Sequence, residues 1–254
     1  MMKGKFSKTA AAIVAGSFFF ACNNAEQQQA AADTVPSADS VPAPAASAAA
    51  PDTLFNGKTL AGWHGYNKTG EVKNWTVEDG ALVCHGAAHG DTGGDLVTDK
   101  DYDNFELSWD WKIGKGGNSG VMYHVVEDKK YEGPYMTGPE YQLIDDIGFP
   151  EKIEDWQKTG ADYAMNLADT SKKKLKPVGE WNSSRIVFNK GHVEHWLNGE
   201  KIVEFEAWTP AWETKKKEGK WKEYPDYGTA KTGKIALQDH GAKAYFKNIV
   251  LKPL

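Results

Sequence analysis

From Phe105 to Ile113, apolar and polar residues alternate without a break: Phe105, Leu107, Trp109, Trp111 and Ile113 interleave with Glu106, Ser108, Asp110 and Lys112. A period of two predicts a long β-strand with one face in a core and the other in water. Trp75-Thr76-Val77 and Ala81-Leu82-Val83-Cys84 flank Glu78-Asp79-Gly80, the signature of a hairpin with an Asp-Gly turn. After the glycines of 114–117, strands are predicted over Asn118 to Val126 and Pro139 to Asp145. A second hairpin joins His192 to Leu197 and Glu200 to Glu206 through Asn198-Gly199. A strict two-residue loop sets His195 opposite Ile202 and Leu197 opposite Glu200, which mixes the faces. One extra residue at a glycine bulge instead aligns Val193, His195 and Leu197 with Val203 and Phe205, and this register is expected. Lys234 to Gln238 and Ala244 to Leu251 close the chain as strands. Helical signal is confined to pieces near Pro150 to Lys158 and Pro210 to Lys217, each opening on Pro with a Glu soon after. The expected fold is all-β: a sandwich of two antiparallel sheets, a jelly roll rather than a closed barrel. In such sandwiches the concave outer face of one sheet is a natural ligand site.

The N-terminus follows another grammar. Lys3, Lys5 and Lys8 precede an apolar run from Ala10 to Ala21, and Cys22 comes next. A basic region and an apolar stretch too short to span a bilayer comfortably predict a signal peptide. Cys22 directly after it resembles a bacterial lipobox, so residues 1–22 are expected to be a lipoprotein signal with Cys22 as the lipidated residue. Cleavage nearby as an ordinary signal peptide is the alternative. Lipidation anchors the protein to a membrane of the cell envelope, facing periplasm or exterior, and leaves Cys84 without a disulfide partner. Residues 23–52 are Ala, Gln, Pro, Ser and Asp with almost no large apolar side chains, a composition expected to stay disordered as a tether. The globular domain is expected over 53–254.

Charge narrows the choice of ligand. The chain carries 30 Lys+Arg against 35 Asp+Glu, and Arg185 is its single arginine. An acidic surface with one guanidinium repels phosphate backbones and has few bidentate readers, so nucleic acid is not an expected partner. Ten Trp, ten Tyr and ten Phe, among many Asn, Asp and Glu, suit a polyol ligand. Most of these rings should nevertheless be core. Metal chemistry finds no support in spacing. His85 and His89 sit among glycines in a loop, and His192 and His195 fall on opposite faces of one strand. No HExxH, paired CxxC, EF-hand, GxSxG elbow or Walker loop is present, and no cofactor is expected. In Pro139–Asp146 the alternation sets Glu140 and Gln142 on one face, either as a base with a hydroxyl anchor or as a solvated surface. Gly114–Gly117 reads as an inter-strand turn that can present Asn118 at a sheet rim. Gln238-Asp239-His240 ends another strand, where His240 is either an acid/base group or a turn residue before Gly241.

Six motifs stand in order along the chain: Leu54-Phe55-Asn56-Gly57-Lys58-Thr59-Leu60-Ala61-Gly62-Trp63, Gly117–Val121, Glu140–Asp146, Gly179-Glu180-Trp181-Asn182, His195–Gly199 and Leu237–Gly241. Together they resemble the 3-keto-disaccharide hydrolase family. The resemblance spans 53–254 and implies a concanavalin A-like jelly roll acting on oxidised glycosides. Many members place a His shortly after the acidic pair, where this chain reads Ile147-Gly148-Phe149-Pro150. A ketone at C3 acidifies the proton on C2, so one base can remove it and the C1 substituent leaves by elimination, with water adding afterwards. Such a site needs a base, donors for an enolate oxygen and an acid. Glu140 and His240 are the candidates for base and acid. Asn118, Gln142, Asn182 and Gln238 are candidate hydroxyl or enolate partners, with Trp181 stacking on a sugar face. A non-catalytic carbohydrate-binding surface lipoprotein is the alternative function.

Overall fold

A computed structural model describes residues 50–86 and 94–254. The signal segment, Cys22, residues 23–49 of the expected tether and His89 lie outside the described residues. Thirteen strands are found among the described residues: β1 (Asp52–Thr53), β2 (Trp63–Gly65), β3 (Trp75–Glu78), β4 (Ala81–Cys84), β5 (Leu96–Thr98), β6 (Phe105–Ile113), β7 (Asn118–Val125), β8 (Glu140–Ile144), β9 (Asn182–Asn189), β10 (His192–Leu197), β11 (Glu200–Glu206), β12 (Lys234–Leu237) and β13 (Ala244–Pro253). They form two antiparallel sheets, β11-β10-β9-β6-β13-β4-β3 with β1 beside β13, and β2-β5-β12-β7-β8. This is the expected two-sheet jelly roll.

The alternation of β6 holds along its whole length. Phe105, Leu107, Trp109, Trp111 and Ile113 are buried, and the residues between them are half-exposed. They pack between the sheets against Val121, Tyr123, Tyr141 and Leu143 of β7 and β8. A polar chain crosses this core. Trp111 Nε1 donates to Ser184 Oγ at 2.8 Å, Ser184 to the Tyr141 hydroxyl at 2.9 Å, and Tyr141 to the Trp196 carbonyl at 3.1 Å. Tyr141 is thereby held inward, which obliges its neighbours Glu140 and Gln142 to face outward.

Both foreseen hairpins close on two-residue turns with positive φ at each residue, Asp79-Gly80 at 48° and 77° and Asn198-Gly199 at 48° and 87°. The expected bulge is therefore not at the glycine: Leu197 opposes Glu200 directly. The extra residue is Ile202, which lies between the His195–Val203 and Trp196–Lys201 pairs and turns inward over Gly160. The predicted registers Val193–Phe205 and His195–Val203 are present.

Of the two expected helical pieces, Pro210–Glu218 forms α1, capped by Thr209 Oγ1 accepting from Trp212 N at 3.2 Å. The earlier piece yields only a 3-10 turn at Asp155–Gln157, because the chain then leaves to lie along β8. There Gln142 N donates to Ala161 O at 3.1 Å, Gly160 N to Gln142 O at 2.8 Å, and Tyr163 N to Glu140 O at 3.0 Å. The outer face of the smaller sheet is partly roofed by two aromatic clusters, one around Tyr66, Met122 and Tyr131, the other joining Met165, Trp212, Trp221 and Tyr227. Between these roofs and the sheet lies the polar face.

Candidate active site

Register places the polar residues together. Antiparallel pairing sets Gly120 opposite Gln142 and Met122 opposite Glu140, with Asn118 opposite Ile144. Ser119, Val121, Tyr141 and Leu143 point into the sandwich, so Asn118, Gly120, Glu140 and Gln142 share its outer side. Gln238 N donates to Gly120 O at 2.9 Å, which carries the line of β12 one residue further beside β7. Gln142 Nε2 donates to Asn118 Oδ1 at 3.1 Å.

These residues line a cavity of about 320 Å³, a volume suited to a sugar or small glycoside. Glu140, Asn118, Gln142, Gln238 and His240 all border it, so five of the seven expected catalytic and binding residues are brought into one place. The sequence reading missed the rest of the wall: Asp95, Tyr135, Tyr163, Lys220, Trp221 and Asp239.

Glu140 forms the buried part of this wall. It is 3% exposed, its Oε1 has no hydrogen-bond partner among the described residues, and Gln238 Oε1 is likewise unpaired. A buried polar group left without a partner costs about 1–3 kcal/mol, and both residues line the same cavity, so a ligand there is a natural source of the missing partners. Burial pushes the Glu140 carboxyl up to about 8; the Lys220 charge pulls it back, while Asp95 and Asp162 add to the rise. Asp95 is pushed up to about 7, also chiefly by burial, although Asp239 N donates to its Oδ1 at 2.8 Å. His240 is exposed at the rim, beyond the end of β12. Asp239 accepts from Asn74 Nδ2, just before β3, at 2.5 Å and from Gly241 N in its own loop at 3.0 Å.

Trp181 and Asn182 are not brought to this place: neither borders this cavity. Their segment opens β9, which belongs to the larger sheet, so the core separates them from the Glu140 face. Asn182 Oδ1 accepts from Lys176 N at 3.0 Å and Asn198 Nδ2 at 2.8 Å, as a brace for the β9–β10 end. It lines a different, mainly apolar cavity of about 600 Å³ with Trp111, Ile113 and Leu175. Trp181 lies on the outer side of the larger sheet, its ring 6.5 Å from that of Tyr245, with Lys247 Nζ at 4.0 Å from its centre. The acidic pair after Glu140 is also structural. Asp145 accepts from the backbone of Gly116, Ile147 and Gly148, and Asp146 pairs with Lys173 and accepts from Thr159 N.

Among the described residues, His192, Glu194 and Glu204 offer three ligand atoms within 4.8 Å of one another. They sit on the β10–β11 hairpin of the larger sheet, where Lys201 Nζ already bonds Glu194 at 3.0 Å and Glu204 at 2.8 Å.

Fold and pocket together define a concanavalin-like jelly roll with a buried acid and an amide cluster on the outer face of its smaller sheet. The chain belongs to the family of the 3-keto-alpha-glucoside-1,2-lyase-like domain, whose profile matches residues 50–252. It is 34% identical over 225 residues to a 3-keto-disaccharide hydrolase of Bacteroides thetaiotaomicron, covering 80% of this chain and 78% of the relative. Among solved structures, it resembles a Parabacteroides distasonis protein with a proposed glycosyl hydrolase role, at 50% identity and a TM-score of 0.74, over 80% of this chain and 94% of the other. A second protein of that organism, with the same proposed role, matches at 25% identity and a TM-score of 0.59, over 81% and 100%.

Proposed function

We propose that this carbohydrate-active hydrolase cleaves 3-keto-glycosides by proton abstraction at C2, with Glu140 as the base. The observation that carries the reading is the buried Glu140 carboxyl, its Oε1 without a partner among the described residues and its pKa raised, in a sugar-sized cavity. A carboxylate in that state is a far stronger base than one in water, and it needs no second carboxylate when the substrate carries a ketone. Glu140 takes the C2 proton, and the C2–H electron pair flows toward the C3 oxygen as an enolate. When C3=O re-forms, the C1–O bond breaks and the leaving oxygen takes a proton, supplied by His240 at the rim. Water then adds across the C1–C2 double bond to complete hydrolysis. Asn118, Gln142 and Gln238 hold the sugar hydroxyls; the unpaired Gln238 Oε1 accepts one of them.

Asp95 favours a second reading, ordinary two-carboxyl glycoside hydrolysis, because it is a second acid in the same cavity. Substrate choice separates the two. The purified protein is expected to release the aglycone from a 3-keto-glucoside and to leave the unoxidised glucoside intact. Deuterium at C2 should slow the reaction. Equal rates on both glucosides would favour Asp95 and Glu140 as a conventional pair.

We also propose that Cys22 bears lipid and tethers the enzyme to an envelope membrane. Cys22→Ser is expected to move the protein from the membrane fraction to the soluble fraction. Mass spectrometry of the mature wild type finding an unmodified Cys22 would overturn the anchor.

A further inference from the structure

Lys220 enters the cavity from outside the sheet. It begins the 3-10 turn Lys220–Glu223 that follows α1, far in sequence from every strand residue of the site. Its ammonium is held by aromatic rings. Nζ donates to the Tyr163 hydroxyl at 3.0 Å and lies 4.1 Å from the centre of that ring, 5.2 Å from Trp221 and 5.9 Å from Trp156. These rings are themselves fixed. Trp221 stacks on Tyr227 at 3.9 Å and donates from Nε1 to Tyr163 O at 3.2 Å, and Lys216 locks the loop by donating to Tyr227 O at 2.9 Å. Cation–π contacts hold the charge without neutralising it, whereas a carboxylate partner would cancel its field. Among the described residues no carboxylate lies within ion-pairing distance of Lys220, although the chain has 35 acids to 30 bases. A cation held without a counter-ion, beside a cavity whose buried acid is Glu140, is suited to a negative charge that appears only during reaction.

We propose that Lys220 is a catalytic residue that binds the C3 oxygen of the substrate and stabilises the enolate formed when Glu140 removes the C2 proton. This rests on the 3-keto reading above. Negative charge grows on the C3 oxygen as the C2–H bond breaks and is held there by Lys220; when C3=O re-forms, the C1–C2 double bond is made and the charge leaves with the C1 oxygen, which is protonated as it departs. A second effect is electrostatic. The charged groups acting on Glu140 are Lys220, Asp95 and Asp162, and Lys220 alone of them favours the ionised carboxylate.

Lys220→Met keeps the aliphatic stem against the rings and removes the charge. It is expected to lower kcat on a 3-keto-glycoside by about 10²–10³-fold, the usual cost of removing an oxyanion partner, with a smaller change in KM. Its pH–rate profile should shift its acid limb to higher pH, because Glu140 loses the charge that favours ionisation. Lys220→Arg should recover part of the rate. Carbon-13 NMR of glutamate-labelled protein, without substrate, should show Glu140 titrating at higher pH in Lys220→Met than in wild type. An active wild type with an unimpaired Lys220→Met variant overturns the role of Lys220 alone. So does an unmoved Glu140 titration. A wild type inert on 3-keto-glycosides overturns the functional reading, and the enolate role with it.

Discussion

Glu140→Gln is expected to lose about 10²–10⁴-fold in turnover while gaining stability at alkaline pH. The amide keeps the shape of the side chain and loses the ability to accept a proton, so sugar binding should persist. The gain in stability follows from linkage. In the unfolded chain this carboxyl ionises around 4.5, whereas in the fold burial holds its proton up to about 8. Between these values the unfolded state binds fewer protons than the folded one, so stability falls as pH rises through the window. Each unit is worth about 1.4 kcal/mol, giving about 4 kcal/mol of destabilisation at pH 8 that glutamine does not suffer. Below pH 4.5 the advantage of the variant disappears. Asp95 and Asp162, both pushed up to about 7 by burial, tilt the wild type in the same direction, but they are common to both proteins. Urea denaturation at pH 5 and pH 8 reads the difference. Parallel stability curves for wild type and variant would mean that Glu140 is hydrated in solution and is not the raised base described here.

Gly120→Ala should be nearly as damaging to activity, although Gly120 itself has no side chain. A Cβ at this position would fall on Glu140 Oε1 and stand 2.7 Å from Cδ and 2.9 Å from Cγ. The glycine is the space in which the acid lies. Alanine in a strand interior would ordinarily gain about 0.5–1 kcal/mol over glycine through lower chain entropy. Overpacking a buried site costs about 1–3 kcal/mol, so the steric term should win. The acid must swing aside, and a displacement on the order of 1 Å is enough to cost about 10² in rate. The shift also strains the bond from Gln238 N to Gly120 O, which ties β12 to β7. Steady-state kinetics and a melting curve on the same preparation test both parts. A variant with wild-type kcat would show that the position of Glu140 is not critical.

The sandwich was legible where alternation is clean, as in β6, and where a turn demands particular residues, as at Asp79-Gly80. It was not legible in β9, where Asn182, Ser183, Ser184 and Arg185 dilute the apolar signal and only Ile186, Val187 and Phe188 remain to suggest a strand. The bulge at Ile202 was misplaced for a related reason: the turn satisfies its own geometry first, and the extra residue goes where an inward side chain finds space beside Gly160. The site shows the same division. Glu140, Gln142 and Asn118 lie on neighbouring strands, so period two alone groups them on one face. Lys220, Tyr163 and Asp95 arrive from loops and from a turn after α1, and no periodicity relates them to β8. Trp181 and Asn182 lie away from this face, because a motif says that residues belong together in sequence and not which sheet they join.

β8 is the last strand of its sheet by pairing order, and such a border normally exposes a row of amides on which a second molecule can zip itself. The segment through Gly160, Ala161 and Tyr163 occupies that row here, bonding to Glu140 and Gln142 along the backbone. The sleeve makes the acid-bearing strand a poor template for aggregation. It also ties the strand that carries the acid to the segment that carries Tyr163, through three backbone bonds along one seam. Slow amide exchange at Gln142 and Tyr163 would therefore report how long that seam stays closed, with no substrate present.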